Sequence, residues 1–357
     1  MRGIARLAQE LGVSTATISR ALNGNPNVNK DTREMVLEAA QRLGYVANQA
    51  ARSLALGSTR SVGFTIEIDQ QSSTSTDFFF MGVIEGVQTV MAEHDLDLLV
   101  LPCAKSQDHY TYLERFISRS AVDGIILAET RQNDKRIELL QSSGIPFVTL
   151  GRSNTGSGYS WIDLDFEGVM KTSIDRLVAN GHRRIAVTVP TGQGNYGAIF
   201  ERAYRENLGR HGLDVDPALV LSTRHHEDDG AVVVDTLLEM DEPVTAIILF
   251  HEVTAIGLYR RLRERGLQPG KDLAIIGFRD EQSARFLSPS VTCFHLSLQD
   301  LGMAAARALL AQMPLTAHAF PKEPVQYCVP MELVPGESDL AGPSPQATRD
   351  KLTTSSS

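Results

Sequence analysis

From Ser61 onward the chain alternates short apolar runs with amphipathic stretches, and this alternation limits the folds open to it. The apolar runs are SVGFTIEI, LDLLVLP, DGIILAE, IPFVTLG, RRIAVTVP, VTAIILF and LAIIGF. Helical periodicity lies between them, in residues 82–93, 109–118, 135–141, 167–180, 199–211, 231–238 and 254–265. Continuous apolar strands separated by helices are typical of parallel sheets that are covered on both faces. There are too many strands for one compact sheet, so the sequence predicts an α/β fold with two lobes.

The N-terminal residues 4–20, IARLAQELGVSTATISR, have the pattern of two short helices joined by a tight turn. Gly12 lies in the turn, where a left-handed backbone is favourable for glycine, and Ser14 is a suitable N-cap for the second helix. Ile18 is expected to pack on Ala8 in a small core. A helix-turn-helix of this kind places the first residues of its second helix in the major groove of DNA. The side chains left on the surface there are Thr15, Ala16, Ser19 and Arg20.

The charge distribution agrees with a DNA-binding head. The net charge is -9 at pH 7, but residues 1–60 hold eight Lys or Arg against four Asp or Glu. A basic head on an acidic body is typical of a small DNA-reading domain joined to a larger one. No apolar run reaches about 18 residues and no leader is visible, so we expect a cytoplasmic, nucleoid-associated protein with no membrane contact. The three cysteines lack metal spacing, and no metal or cofactor is expected.

The segment between the head and the first apolar run predicts two further helices. Asn29 can cap a helix over residues 30–43, which Gly44 would end. Asn48 could cap a short helix over residues 49–56. So short a helix is marginal in isolation, so we expect it to form only where a partner supplies a surface.

Several segments together resemble the LacI family of bacterial repressors. They are VSTATISRALNG, VNKDTREMVLEAAQRLGY, ANQAARSLALG, DLDFEGVMKTSIDRLVANGHRRIAV and GLQPGKDLAIIGF. The resemblance implies a core similar to a periplasmic sugar-binding protein, with two lobes joined by three crossovers. It divides the chain into a helix-turn-helix domain (1–46), a hinge helix and linker (47–60) and an effector-binding and dimerisation core (61–335). Lobe one would hold 61–161 and 291–321, and lobe two 162–290 and 322–335. The polar residues 336–357 are expected to be disordered.

The resemblance also implies how the head meets DNA. Thr15 and Ala16 would meet base edges, and their polar neighbours would meet phosphates or nearby bases. Leu54 matches the hinge leucine that the family inserts into the minor groove, which bends the duplex. Ala47 stands where the family usually has proline. The expected partner is double-stranded operator DNA, bound by a homodimer, with a tetramer as the alternative. The expected DNA-binding residues are Ser14, Thr15, Ala16, Thr17, Ser19, Arg20, Asn27, Asn48, Arg52, Leu54 and Ala55.

An effector would bind between the lobes, at the carboxyl ends of the strands. The family usually holds sugar hydroxyls at positions where this chain has Phe200, His251-Glu252 and Arg279-Asp280. The default effector is a sugar or sugar derivative, and Arg279 raises an acidic or phosphorylated sugar as a hypothesis. The Phe79–Phe80 pair fits helix packing equally well. The expected effector-binding residues are Phe79, Phe80, Asp163, Asn195, Tyr196, His225, His251, Arg279 and Asp280.

Residues 192–197, GQGNYG, match the glycine spacing of dinucleotide-binding loops. Asp214 and Asp216 have the spacing of the acidic residue such a site needs, but they precede the next strand instead of ending it. A Gly-rich loop at the cleft edge is the simpler interpretation. No catalytic spacing occurs elsewhere, so we expect no enzyme but a ligand-controlled transcriptional regulator, a repressor of carbohydrate-use genes. The alternatives are a solute-binding protein of a transport system, which has no use for residues 1–57, and a dinucleotide-dependent oxidoreductase.

Overall fold

The computed structural model describes residues 3–22, 27–45, 58–68, 75–281, 284–321, 323–340 and 342. The chain divides into two compact units. The first takes the described part of residues 1–61 with Ser120–Asp123, and the second takes the described part of the remainder. The expected hinge contacts Asn48, Arg52, Leu54 and Ala55, with Ala47 before them, lie outside the described residues, as do residue 341 and residues 343–357 of the expected tail.

In the first unit, helices α1 (Ile4–Leu11), α2 (Thr15–Leu22) and α3 (Lys30–Arg42) enclose a small core. Its central side chains, Leu7, Ile18 and Val36, are at most 1% exposed. The local signals predicted from the sequence are confirmed. Gly12 has φ 68° at the end of α1, Ser14 Oγ accepts a hydrogen bond from Thr17 N at 3.1 Å, and Asn29 Oδ1 accepts one from Asp31 N at 3.1 Å.

The described end of the linker is fixed by one carboxylate. Asp123 accepts hydrogen bonds from Thr59 N at 2.8 Å, Arg60 N at 2.7 Å and Ser58 Oγ at 2.6 Å. Arg60 has φ 54°, a left-handed conformation that a side chain other than glycine adopts only with support. The carboxylate therefore supplies hydrogen-bond acceptors at the point where the chain turns into the core.

Lobe one of the second unit is built on a six-stranded sheet with the order β11-β5-β4-β3-β1-β2. Parallel pairing joins β1 to β3, β3 to β4, β4 to β5 and β5 to β11. All four residues of β3 are buried, as are those of β4, as the apolar runs predicted. The strands are β1 (Ser61–Ile68), β2 (Asp97–Ala104), β3 (Gly124–Leu127), β4 (Phe147–Leu150), β5 (Ser160–Leu164) and β11 (Gln326–Val329). The helices are α4 (Ser75–Glu93), α5 (His109–Ser118), α6 (Lys135–Ser143) and α11 (Leu298–Leu310).

Lobe two is built on a four-stranded parallel sheet with the order β7-β6-β8-β9. Its strands are β6 (Ile185–Pro190), β7 (Val220–Thr223), β8 (Ala246–Leu249) and β9 (Ala274–Gly277), and its helices are α7 (Phe166–Ala179), α8 (Asn195–Arg210), α9 (Asp228–Leu238) and α10 (Glu252–Glu264). Every helical stretch predicted from periodicity is a helix. Among the helices described in the two units, none is both long enough and apolar enough to cross a membrane.

The chain passes between the lobes three times, and the last passage differs from the expectation. After β9, the strands β10 (Cys293–His295) and β12 (Glu332–Val334) pair antiparallel beside lobe two, while α11 and β11 lie in lobe one. We expected all of residues 322–335 in lobe two. Instead β11 pairs with β5, with Gln326 opposite Trp161. Strand β11 therefore forms one edge of the lobe-one sheet, and β5 is paired on both sides.

Residues 336–340 also differ from the expectation, because they are packed and not disordered. Ser338 and Asp339 are fully buried. Ser338 Oγ donates to Ile275 O at 2.6 Å, and Asp339 forms an ion pair with Arg176. Thr292 Oγ1 donates to Asp339 Oδ1 at 2.6 Å. Composition suggested disorder because the segment has few large apolar side chains, but its short polar groups satisfy buried partners instead.

Candidate functional site

The first unit presents the expected DNA-facing residues on its surface. Thr15, Ala16 and Arg20 are exposed at α2, and Ser19 is half-buried. The hydroxyls of Ser14 and Thr17 lie 2.9 Å apart in a hydrogen bond. Asn27 is exposed in the loop before α3. The small core sets the orientation of α2, and Ser14 caps its first turn. The short side chains of Thr15 and Ala16 at the start of α2 remain on the surface.

The second unit contains a cleft of about 490 Å³ at the carboxyl ends of both parallel sheets. Residues at or just beyond the ends of β1 to β5, with Phe79 and Phe80 of α4, form the lobe-one wall. Residues at or just beyond the ends of β6, β7, β8 and β9, with Tyr196 of α8, form the lobe-two wall. This is the position expected for a ligand site in parallel α/β sheets. Seven of the nine expected effector residues line it: Phe79, Phe80, Asp163, Tyr196, His225, His251 and Arg279.

The other two expected residues have different contacts. Asp280 forms an ion pair with Arg285 at 2.6 Å and lies outside the cleft lining. Asn195 is 6% exposed and joins the two lobes. Its backbone N–H donates to Thr130 O at 2.9 Å, and its Nδ2 donates to Arg152 O at 2.8 Å.

The segment GQGNYG takes part in the same contact between lobes. Gly194 forms a β-bridge with Arg131, directly before the bonds of Asn195. Arg152 adds a bidentate ion pair with Glu167 of lobe two, through contacts of 2.9 and 2.8 Å, and a 2.7 Å contact to Asp163. The segment GQGNYG is therefore part of the contact between the lobes, and a side chain at Gly194 would collide with the ring of Tyr196.

Stacked aromatic rings form the inner wall of the cleft. Phe250 and Phe278 stack with centroids 5.4 Å apart and planes 5° apart, and Phe166 stacks on Phe278 at 5.2 Å. Tyr196 stacks on the other side of Phe250 at 5.6 Å. Phe200, at a position where the family often uses arginine, is fully buried and meets Phe250 edge-on at 5.0 Å. It supports the wall from behind and is not part of the cleft lining.

Two imidazoles form the lobe-two edge of the cleft. The rings of His225 and His251 stack with centroids 4.3 Å apart and planes 10° apart. Burial, followed by the charges of His225 and Arg279, holds the pKa of His251 well below its usual range. The imidazole of His251 is therefore neutral near pH 7 and can offer one donor and one acceptor.

The expected effector residues leave out six charged residues that line the cleft, although Glu252 stands at a family sugar-binding position: Glu67, Lys105, Glu129, Arg152, Arg224 and Glu252. All six lie just before or within a few residues after the end of a strand. Listing every polar residue at a predicted strand end would have found these. Glu252 opens α10 directly after His251. Their pairing depends on contacts that no spacing in the sequence predicts.

The comparisons with known proteins agree with the two units. Residues 1–48 match the model of bacterial regulatory proteins of the lacI family, and residues 174–338 match the periplasmic binding protein-like domain. The chain is 31% identical to the HTH-type transcriptional regulator AglR of Rhizobium meliloti (strain 1021), over 96% of this chain and 98% of that protein. It is 29% identical to the regulator CelR of Thermobifida fusca, over 92% of this chain and 95% of that protein.

Two solved structures extend the comparison. The transcriptional regulator CelR–cellobiose complex has a TM-score of 0.69 at 26% identity, and the match covers 95% of this chain and 100% of that one. The lac repressor dimer bound to operator and an anti-inducer has a TM-score of 0.80 at 20% identity, covering 94% and 98% of the two chains. At that identity the second match supports the fold alone.

Proposed function

Because this chain belongs to the LacI family and is a DNA-binding transcriptional regulator, we propose that it represses carbohydrate-use genes under the control of a sugar bound in the cleft. The observation that carries the proposal is the composition of the cleft walls. Flat aromatic rings, most of them from lobe two, line the same cavity as carboxylates and other hydrogen-bonding groups from both lobes. Aromatic faces suit the apolar faces of sugars, and polar groups at fixed positions suit their hydroxyls.

The size of the cleft supports the same class of ligand. Small-molecule sites usually measure about 300–1,000 Å³, and the volume of about 490 Å³ lies within that range. The related CelR structure is a complex with cellobiose. By analogy, seven lining residues would contact the sugar here: Phe79, Phe80, Asp163, Tyr196, His225, His251 and Arg279.

For the head, we propose that α2 lies in the major groove of operator DNA. Thr15 and Ala16 would contact base edges, and Arg20 a phosphate or a guanine. We also propose a homodimer, whose two heads would occupy half-sites about one helical turn apart. The lac repressor structure named above, which shares this fold, is a dimer on its operator.

Fluorescence anisotropy with labelled DNA from upstream of the chain's own gene tests the proposal. Wild type should bind this DNA more tightly than a shuffled duplex, and at least one sugar should change that affinity. Arg20→Ala should weaken binding and reduce the slope of log affinity against log salt by about 1 if Arg20 contacts a phosphate. Lys135→Ala removes the same charge from an exposed position of the second unit and should leave binding unchanged. Equal affinity for both duplexes at low salt would contradict the proposal.

A further inference from the structure

The arginines that line the cleft already have carboxylate partners. Arg279 Nε lies 3.3 Å from Glu252 Oε1, and both side chains are buried. Arg224 contacts Asp229 at 2.6 Å, and Arg152 contacts two carboxylates at 2.7 and 2.8 Å. An anionic ligand that used Arg279 or Arg152 would have to compete with a bonded carboxylate inside the cleft, which makes the exchange unfavourable. The side chain of Arg224 is 71% exposed, so its ion pair is weaker.

Two further carboxylates face the same cavity from lobe one. Glu67 and Glu129 both line the cleft, and Glu129 Oε2 accepts a hydrogen bond from Glu67 N at 2.8 Å. Glu67 also lies 3.8 Å from Arg131 and 3.5 Å from His109. Lys105 is a further cation of the lining, and its charge acts on Glu129. The carboxylates and cations of the lobe-one wall offset each other, so this wall has no excess positive charge that would attract an anionic ligand.

The position of Glu129 is fixed by the surrounding structure. Its φ is 53°, a left-handed conformation that is unfavourable for a residue with a side chain. The buried Arg136 holds it there, because its Nη2 donates to Glu129 O at 2.9 Å. Arg136 is itself held by Asp134 at 2.7 Å. The carboxyl of Glu129 therefore faces the cavity from a rigid loop.

We propose that this cleft takes an uncharged, hydroxyl-rich ligand in preference to its phosphorylated or carboxylated counterparts, and that Glu129 and Glu67 set this preference. The inference rests on the proposed function, since it names the ligand class of the same cleft. It disfavours the acidic-sugar hypothesis that Arg279 raised from the sequence.

The protonation of Glu129 fits this ligand class. Burial, followed by the charge of Glu67, raises its pKa to about 7, against the opposing charges of Arg136 and Lys105. Tyr196 faces the same carboxyls from lobe two, and burial with their charges raises the pKa of its phenol. Near neutral pH a carboxyl of this kind can donate or accept a hydrogen bond. A sugar hydroxyl can donate to the ionised carboxyl and accept from the protonated one, whereas a phosphate dianion can only accept and therefore matches the protonated form alone.

Thermal-shift and calorimetric titrations with matched pairs test this inference. The probes are glucose, galactose and cellobiose, each beside its 6-phosphate, with glucuronate beside glucose. Wild type should bind an uncharged member more tightly than its anionic counterpart by about tenfold or more, which is the usual effect of about 1.4 kcal/mol of unfavourable charge interaction. Glu129→Gln keeps the size of the side chain and an acceptor for Glu67 N, but removes the charge. This variant should lower the ratio of the affinities for the uncharged and the anionic member of each pair by roughly tenfold. Glu138→Gln, on the exposed face of α6, is the matched control.

Equal or tighter binding of the anionic members to wild type would overturn the inference, as would a panel in which no uncharged sugar binds. The control Glu138→Gln should keep the wild-type preference for uncharged ligands. If Glu129→Gln keeps it too, the role assigned to Glu129 is wrong. The proposed function stands or falls independently of this inference. If a sugar phosphate binds and changes operator affinity, the chain is still an effector-controlled regulator and the ligand class alone is refuted.

Discussion

Replacing Glu129 by Gln should stabilise the folded protein at neutral pH, by an amount that depends on pH. The pKa of Glu129 rises from 4.5 to about 7 on folding, first because of burial and then because of Glu67. The folded state therefore binds the proton more tightly than the unfolded state. The resulting destabilisation is absent below pH 4.5, grows as the pH rises, and is complete above pH 7. At about 1.36 kcal/mol per pKa unit, the difference of about 2.5 units corresponds to about 3 kcal/mol.

Urea unfolding at a series of pH values between 4.5 and 8, followed by circular dichroism, measures this effect. The free energies of wild type and Glu129→Gln should differ little at the acidic end. The variant should gain about 3 kcal/mol relative to wild type by the alkaline end, with most of the change between the two pKa values. Glu138→Gln should follow wild type throughout, because its side chain is exposed. A constant difference across the series, or a gap that closes as the pH rises, would refute the assignment of a raised pKa to Glu129.

Three further substitutions test other parts of the second unit. Asn195→Ala removes the Nδ2 bond to Arg152 O and should cost about 0.5–1.5 kcal/mol. Asn195→Ala should also change the fluorescence emission of Trp161, the one tryptophan of the chain, because its ring lies 5.6 Å from the Arg152 guanidinium. Unchanged emission together with unchanged stability would argue against the contact between Asn195 and Arg152. Asp339→Ala leaves the charge of Arg176 without its partner and should lower the free energy of unfolding by about 3–5 kcal/mol, measured in urea. Phe250→Ala opens the aromatic wall and should cost about 3–5 kcal/mol, and a thermal midpoint equal to wild type would contradict that packing.

The parts of the fold that depend on local signals could be predicted from the sequence. Gly12, Ser14 and Asn29 carry their information in their own conformational and hydrogen-bonding preferences, and the apolar runs show which strands are covered on both faces. The location of the cleft followed from the same runs, because strand ends in parallel sheets meet at one edge. Seven of nine expected effector residues lie in its lining, and four of them, Asp163, His225, His251 and Arg279, do so because they lie at strand ends.

The remaining features depend on partners that are distant in sequence. Strand β11 pairs with β5, although more than half of the core sequence separates the two strands. Residue type alone does not determine which of the two sheets β11 joins. Asp339 is buried because Arg176, 163 residues earlier, neutralises it. The left-handed backbone of Glu129 is imposed by Arg136, against the preference of its own side chain. In each case a non-local contact outweighs the local preference.

One short loop, residues 129–131, both reaches the ligand cleft and takes part in the contact between the two lobes. Glu129 presents its carboxyl to the cavity, and the next residue, Thr130, accepts the backbone bond of Asn195 from the other lobe. Arg131 continues the contact through its bridge to Gly194. Since these residues are consecutive on a rigid loop, a ligand that bonds Glu129 acts on the backbone that holds the lobes together. Differential binding to the two lobe arrangements is the only way a ligand can shift their populations, and we expect this loop to contribute to it. By linkage, operator DNA that favours one arrangement must change the affinity for the ligand by the same factor.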